Sequence, residues 1–158
     1  MEIKAQDMLD IYNLLSSYAE ILDFGEWDRV SEFITEDFHY DLSDMGLEPQ
    51  DTLEGTRKAW STFTNYYVHV VANPRIIGYD GKRAEVHSRC IGVIQSGLSD
   101  AAHYVDEMVK TDKGWRIKHR AITIIKNGAT MSLGIMNQVA RPHAGGVRPK
   151  GHLGAKAK

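Results

Sequence analysis

The stretch from residue 66 to residue 79, YYVHVVANPRIIGY, decides the fold, because here the spacing of apolar residues changes from a helical to a strand pattern. Short apolar runs rich in Val, Ile and Tyr are typical of β-strands. Three more such runs follow, at 83–95, 103–111 and 115–126. The separators are rich in turn-forming residues and lie at 80–82, 96–100 and 112–114. We therefore predict an antiparallel meander of four long strands.

The sequence before these strands has mainly helical spacing. Between Ile3 and Leu22 apolar residues recur every three or four positions, which predicts one long amphipathic helix. The segments that follow predict a short helix at 26–34, a short strand at 37–43, a surface loop or lid at 45–55 and a third helix at 56–66. Helices followed by a meander predict an α+β fold, with three helices packed on a curved mixed or antiparallel sheet.

Composition excludes several classes of protein. The 158 residues, 42% apolar and 25% charged, are typical of one soluble globular domain, and a net charge of -2 argues against a dedicated nucleic-acid-binding protein. No run of about 18 apolar residues could span a bilayer, and the N-terminal MEIKAQDMLD does not resemble a secretory signal. Cys90 is the single cysteine, so it forms neither an intrachain disulfide nor a CxxC site. We expect a cytoplasmic protein that binds a small molecule.

The character of the chain changes at Arg141. The segment 141–158 has five Lys or Arg and no acidic residue, and its Gly, Pro and Ala residues offer little apolar surface to bury. We predict one domain over residues 1–140 and a basic tail over residues 141–158. We also predict that residues 127–139 pack on the body or on a neighbouring subunit, whereas residues 145–158 are mobile.

Asp23 and His69 are the first candidates for chemistry. Asp23 continues the apolar face of the first helix, and an unpaired carboxylate in such surroundings is costly, so it needs a partner there. Alternatively, it caps the following short helix. His69 is either a packed core residue or a general base, in which case a carboxylate from Asp23 would fix its tautomer and stabilise its protonated form. Asn73 shares the predicted face of His69, where it either binds a ligand or forms a turn beside Pro74.

The hairpin HYVDEMVKTDKGWRIKHR, residues 103–120, allows its register to be predicted. A three-residue loop at 112–114 pairs Thr111 with Trp115. The same register gives two more pairs, Asp106 with Arg120 and Glu107 with His119. The first is a structural ion pair or, if it faces a cavity, a place where Arg120 stabilises a substrate oxyanion.

Metal and nucleotide sites are not indicated. His39, His87, His103 and His119 lie on separate segments without HExxH or comparable spacing. The glycines form no phosphate-binding loop. We therefore expect neither a metal nor a cofactor.

Three segments together resemble the SnoaL-like branch of the nuclear transport factor 2-like superfamily. They are SSYAEILDFGEWDRVSEFITEDFHYD at 16–41, YVHVVANPRI at 67–76 and YVDEMVKTDKGWRIKHR at 104–120, and the resemblance covers roughly residues 6 to 126. It implies a cone of curved sheet and three helices that encloses one apolar pocket. Members include scytalone dehydratase, a bile-acid dehydratase, polyketide cyclases and non-catalytic dioxygenase subunits, so the fold alone does not determine the activity.

The resemblance also implies roles for particular residues. Eliminating enzymes of the family use an Asp-His dyad, and the matching positions here are Asp23 and His69. Tyr18 matches a pocket tyrosine of the bile-acid dehydratase, and Arg120 lies near a pocket arginine of the same enzyme. Tyr40 resembles a pocket tyrosine of scytalone dehydratase.

The leading hypothesis is a cofactor-independent lyase that acts on a small apolar or aromatic hydroxylated substrate. His69 would remove a proton, Asp23 would orient it, and Tyr18, Tyr40 or Arg120 would stabilise charge on oxygen. An isomerase or cyclase would use the same base. The alternative from another class is a non-catalytic ligand-binding or assembly subunit. In either case we expect a homo-oligomer.

Overall fold

The computed structural model describes residues 2–62, 66–94 and 99–125. Two α-helices are described, α1 (Ala5–Phe24) and α2 (Leu53–Trp60), with two 3₁₀ helices at Trp27–Glu32 and Ser43–Met45. The strands are β1 (Ile34–Asp41), β2 (Gln50–Asp51), β3 (Tyr66–Tyr79), β4 (Arg83–Ile94), β5 (Ser99–Thr111) and β6 (Gly114–Ile124). The predicted tail and the segment 127–139 lie outside the described residues.

Helix α1 forms where the apolar spacing predicts a helix. Ile11, Leu15 and Tyr18 recur along its inner face and are buried. The helix ends at Gly25, whose left-handed φ of 65° strongly favours glycine and whose N–H bonds to the carbonyl oxygens of the last turn. Because Gly25 sets this end, the helix extends two residues beyond the predicted Leu22 and places Asp23 in its last turn.

The sheet has six strands in the order β2-β1-β6-β5-β4-β3. Strands β3 to β6 form the predicted antiparallel meander. Strand β1 runs parallel to β6, so the sheet is mixed. Helix α1 contacts both β3 and β6, which are separated in the sheet by β4 and β5. The sheet therefore curls around the helix, and the predicted α+β fold with a curved sheet is confirmed.

The β5–β6 hairpin corrects the predicted register near its turn. Thr111 pairs with Gly114 rather than with Trp115, so the loop has two residues instead of three, and Gly114 adopts a φ of 99°. A register shift between Glu107 and Met108 then restores the predicted alignment. The shift changes which positions of β6 face inward, from 115 and 117 to 120 and 122. As a result both predicted pairs form, Asp106 with Arg120 and Glu107 with His119.

Some predicted boundaries differ from the observed ones. Strand β1 begins at Ile34, which pairs with Ile117 of β6, and not at the predicted residue 37. The short helix predicted at 26–34 is a 3₁₀ helix over Trp27–Glu32. Helix α2 begins at Leu53, earlier than predicted, because the hydroxyl of Thr52 accepts a hydrogen bond from the N–H of Gly55 and caps it.

The core lies between α1, α2 and the concave face of the sheet. Its large, fully buried apolar side chains include those of Tyr18, Phe33, Phe38, Ile11, Leu15 and Met108. Within the described ranges, no helix is both long and apolar enough to cross a membrane.

Candidate active site

A cavity of about 120 Å³ opens between α1, the segment 42–47 and strands β3 to β6. Its walls are mainly apolar and aromatic, formed by Tyr18, Leu22, Trp27, Tyr40, Leu42, Met45, Leu47, Trp60, His69, Cys90, Gly92, Asp100, Ala102, Tyr104, Ile122 and Ile124. Met45 and Leu47 belong to the predicted loop or lid, which therefore borders the cavity. An apolar pocket with a few polar groups is the usual form of a small-molecule site.

Asp23 and His69 are in direct contact at one side of this cavity. The Nδ1 atom of His69 lies 2.7 Å from Oδ1 of Asp23. The backbone N–H of His69 also donates to Asp23, at 2.9 Å from Oδ1 and 3.0 Å from Oδ2. The two side chains are largely buried, with 15% exposed for His69 and 14% for Asp23. The last turn of α1 and the strand β3 thus meet through a hydrogen-bonded Asp–His pair.

This contact has two consequences. Because Nδ1 faces the carboxylate, Nε2 is the ring nitrogen on the opposite side of a side chain that lines the cavity. In addition, Asp23 is not the cap of the following helix, which was the alternative prediction. The N-cap of the 3₁₀ helix is Glu26, and this helix has no side-chain capping hydrogen bond.

Tyr18, Tyr40 and Tyr104 form a cluster of phenols on the cavity wall. Burial raises the pKa of Tyr18, and the positive charge of Arg120 partly opposes that effect. Burial also holds the pKa values of Tyr40 and Tyr104 well above the usual 10.0. All three phenols are therefore neutral near pH 7 and able to donate hydrogen bonds.

Arg120 does not line the cavity but lies directly behind the phenols. Its guanidinium donates to both oxygens of Asp106, at 2.6 and 2.8 Å, and both side chains are almost fully buried. The guanidinium carbon is 4.2 Å from the ring centre of Tyr18 and 4.3 Å from that of Tyr104. Of the two predicted roles for the Asp106–Arg120 pair, the structure shows the structural ion pair. Arg120 is separated from the cavity by the two phenols.

Asn73 is placed outside the cavity. It is exposed, and its φ is 52°. The pairing of β3 with β4 shifts register between Ala72 and Arg75, which interrupts the alternation of faces that begins at His69. The prediction that Asn73 shares a ligand-binding face with His69 is therefore wrong.

Several lining residues were not identified from the sequence. Sequence reasoning assigned no role in a site to Trp27, Trp60 or Cys90, and Asp100 lies in the segment 96–100 that was predicted as a turn. Tyr104 could have been identified from the sequence, since the alternation of faces along β5 places it on the same face as Asp106. Burial raises the pKa of the Cys90 thiol, which keeps it protonated.

The four histidines that are scattered in sequence meet in two pairs on the sheet. The rings of His39 and His119 stack with centres 5.1 Å apart, and those of His87 and His103 meet edge to face at 5.2 Å. In the part of the chain that the structure describes, no group of three or more His, Cys, Asp or Glu side chains is arranged to hold a metal ion.

Comparison with solved structures gives relatives of the same fold. A protein of Novosphingobium aromaticivorans assigned as an aromatic ring hydroxylase is 29% identical, with a TM-score of 0.69 over 78% of this chain and 92% of that one. A protein of the same organism assigned as a scytalone dehydratase is 19% identical, with a TM-score of 0.63 over 75% of this chain and 83% of that one. No curated protein sequence gives a significant match.

A hexachlorocyclohexane dehydrochlorinase of type 2 is 18% identical, with a TM-score of 0.63 over 77% of this chain and 89% of that one. At such identities the likeness shows the fold alone. The model of the SnoaL-like domain matches residues 4–121, which is most of the chain and includes every strand except the end of β6. The chain belongs to the SnoaL-like family, whose structural relatives include dehydratase-type enzymes.

Proposed function

We propose that the protein is a cofactor-independent lyase that eliminates water from a small apolar or aromatic hydroxylated substrate. The observation that carries this proposal is the Asp23–His69 pair at the wall of an apolar cavity. A histidine held by a carboxylate on one nitrogen and directed at a cavity with the other has the geometry of a general base.

His69 takes the first role in this reaction. With Nδ1–H donated to Asp23, the lone pair of Nε2 accepts a proton from a substrate carbon next to a carbonyl group. The imidazolium that forms is stabilised by the Asp23 carboxylate at 2.7 Å. Since Asp23 is also fixed by the backbone N–H of His69, the pair needs little reorganisation during proton transfer.

The phenols take the second role. Loss of the proton puts negative charge on the substrate carbonyl oxygen, and Tyr18 or Tyr40 donates a hydrogen bond to it. The carbon–oxygen bond to the leaving hydroxyl then breaks as the carbon–carbon double bond forms. His69 returns its proton to the departing hydroxide, so that the products are the unsaturated ketone and water.

Two other functions are compatible with parts of the site. An isomerase or cyclase uses the same base and differs in where the carbanion reacts. A non-catalytic subunit requires His69 to be a packed core residue and Asp23 to be a cap. His69 instead borders a cavity, and the helix after Asp23 lacks a side-chain cap, which favours catalysis.

The test is a dehydration assay with β-hydroxyketones fused to an aromatic ring, because their elimination products absorb in the ultraviolet. We expect turnover by the wild type and a kcat reduced by about 10²–10⁴-fold in His69→Ala. His119→Ala is the matched control, because its ring stacks on His39, outside the cavity-lining set. Unchanged turnover in a folded His69→Ala variant would refute the proposed base.

A further inference from the structure

We infer that Asp100 is a specificity-determining residue, whose carboxylate accepts a hydrogen bond from a substrate hydroxyl and disfavours substrates that carry a carboxylate. The inference rests on the proposed function, because it concerns the substrate of the same cavity.

The sheet register places His69 and Asp100 in one row across the sheet, with a single residue of β4 between them. His69 of β3 pairs with Gly92 of β4, and Gly92 pairs with Asp100 of β5. Residues paired across neighbouring strands point to the same face of a sheet. All three accordingly line the cavity. Two strand spacings separate the backbones of His69 and Asp100, which is a distance of about 10 Å.

Gly92 leaves room for a ligand between the side chains of His69 and Asp100. A side chain at that position would stand between the imidazole and the carboxylate, whereas glycine leaves the space open. Glycine within a strand often marks a close approach of a ligand to the backbone. A ring lying over Gly92 would have His69 at one edge and Asp100 at the other.

The chemistry of Asp100 determines what that ring can carry. A carboxylate has about four acceptor positions, so Asp100 can receive a hydrogen bond from a ligand in addition to its contacts within the protein. Bonds from a hydroxyl to an ionised carboxylate are about twice as strong as neutral ones. A ligand carboxylate at this place would instead meet a like charge in mainly apolar surroundings.

The second acidic group at the cavity does not offer the same recognition. Both oxygens of Asp23 already accept hydrogen bonds from the backbone N–H of His69, and one also contacts the ring. Asp23 also stands behind the imidazole rather than in the cavity lining. Of the two carboxylates, Asp100 is the one in the cavity lining, so it is the one placed to contact a ligand.

The experiment measures dissociation constants for three probes by isothermal titration calorimetry. They are 4-methylphenol, its donor-free analogue 4-fluorotoluene, and 4-methylbenzoate. For the wild type we expect the phenol to bind most tightly and the benzoate most weakly. Asp100→Ala should weaken phenol binding about tenfold and leave the fluorotoluene constant unchanged, because only the hydrogen bond is lost.

Asp100→Asn provides a second variant of nearly unchanged shape. Its amide removes the charge and supplies a donor, so it should tighten binding of 4-methylbenzoate about tenfold or more. Gly92→Val should weaken all three probes, because its side chain occupies the space over β4. The matched control is Asp112→Ala, in the exposed β5–β6 turn, which should change none of the constants.

The outcomes separate this inference from the proposed lyase. If folded Asp100→Ala and Asp100→Asn keep the wild-type ratios among the three probes, the role of Asp100 is overturned, whatever the activity of His69→Ala. If the ratios change as expected but His69→Ala retains wild-type turnover, recognition by Asp100 stands and the proposed base is wrong.

Discussion

The carboxylate of Asp23 holds His69 at two points, the backbone N–H and the ring nitrogen Nδ1. The two residues are 46 positions apart, and each comes from a different element, α1 and β3. Rotation of either side chain would break a hydrogen bond in a largely buried place. The imidazole is therefore fixed in both orientation and tautomer before any substrate arrives.

Asp23→Asn should keep the shape of the pair but reduce kcat by about 10²-fold or more, because an amide cannot stabilise the imidazolium. The split between kcat and KM provides the readout of a positioning role. The kcat value should fall while KM stays near the wild-type value, because the substrate does not contact Asp23. A folded variant with wild-type kcat would make Asp23 a purely structural residue.

Arg120→Met should lower the free energy of unfolding by about 3–5 kcal/mol, because it leaves the buried Asp106 carboxylate without its partner. The double variant Asp106→Leu with Arg120→Met removes both charges and should recover much of that loss. Urea denaturation of the three proteins measures the difference. If the double variant is less stable than Arg120→Met alone, burial of the unpaired charge is not the cause.

Asp7 should make the protein sensitive to acid. Hydrogen bonds from Lys110 and then Tyr79 lower the pKa of Asp7 from 3.8 to about 2, against the opposing effect of burial. The folded protein thus holds this proton less tightly than the unfolded chain. The resulting stability, up to about 2 kcal/mol, is present above about pH 4 and is lost as the pH falls through about 2.

The measurement is the free energy of urea unfolding as a function of pH. Asp7→Asn should be less stable at pH 7, since the charge-assisted bonds from Lys110 and Tyr79 are weakened. Its unfolding energy should also vary less between pH 4 and pH 2. Asp112→Asn, an exposed carboxylate, is the control and should follow the wild-type curve. An Asp7→Asn curve parallel to the wild type would assign the acid sensitivity to other groups.

Activity should survive exhaustive chelation. The proposed elimination needs only the lone pair of Nε2 and hydrogen-bond donors on the oxygen, and these come from side chains of the protein. The check is kcat before and after dialysis against EDTA, with the thermal melting temperature as a control for unfolding. Loss of turnover that one added metal ion restores would contradict this mechanism.

Much of the fold could be predicted because its signals are local. The strand β3 has the predicted bounds of residues 66 and 79, since its run of β-branched and aromatic residues is continuous. The Asp106–Arg120 pair was also predictable, because both residues belong to one hairpin. The register near Trp115 could not be predicted. A three-residue loop without a bulge and a two-residue loop with a bulge give the same pairs further along the strands.

The candidate site was only partly predictable. Tyr18, Tyr40 and His69 border the cavity, and Asp23 holds His69, as the family resemblance implied. The prediction for Asn73 was wrong, because a bulge in β3 interrupts the alternation of side-chain faces from which its position was predicted. Asp100 was missed because a Gly- and Ser-rich stretch just before it resembles a turn, although Asp100 itself is in β5.

The sequence by itself determined the long helix, the four long strands, their order and the antiparallel pairing within the meander, since periodicity and turn residues act over a few positions. Only the tertiary structure decided which side chains share the cavity. Asp23 reaches His69 because α1 crosses a sheet that curls around it, and Asp100 faces His69 because three strands align across Gly92. These contacts depend on sheet curvature and bulges, which arise from packing of the whole domain rather than from any single segment.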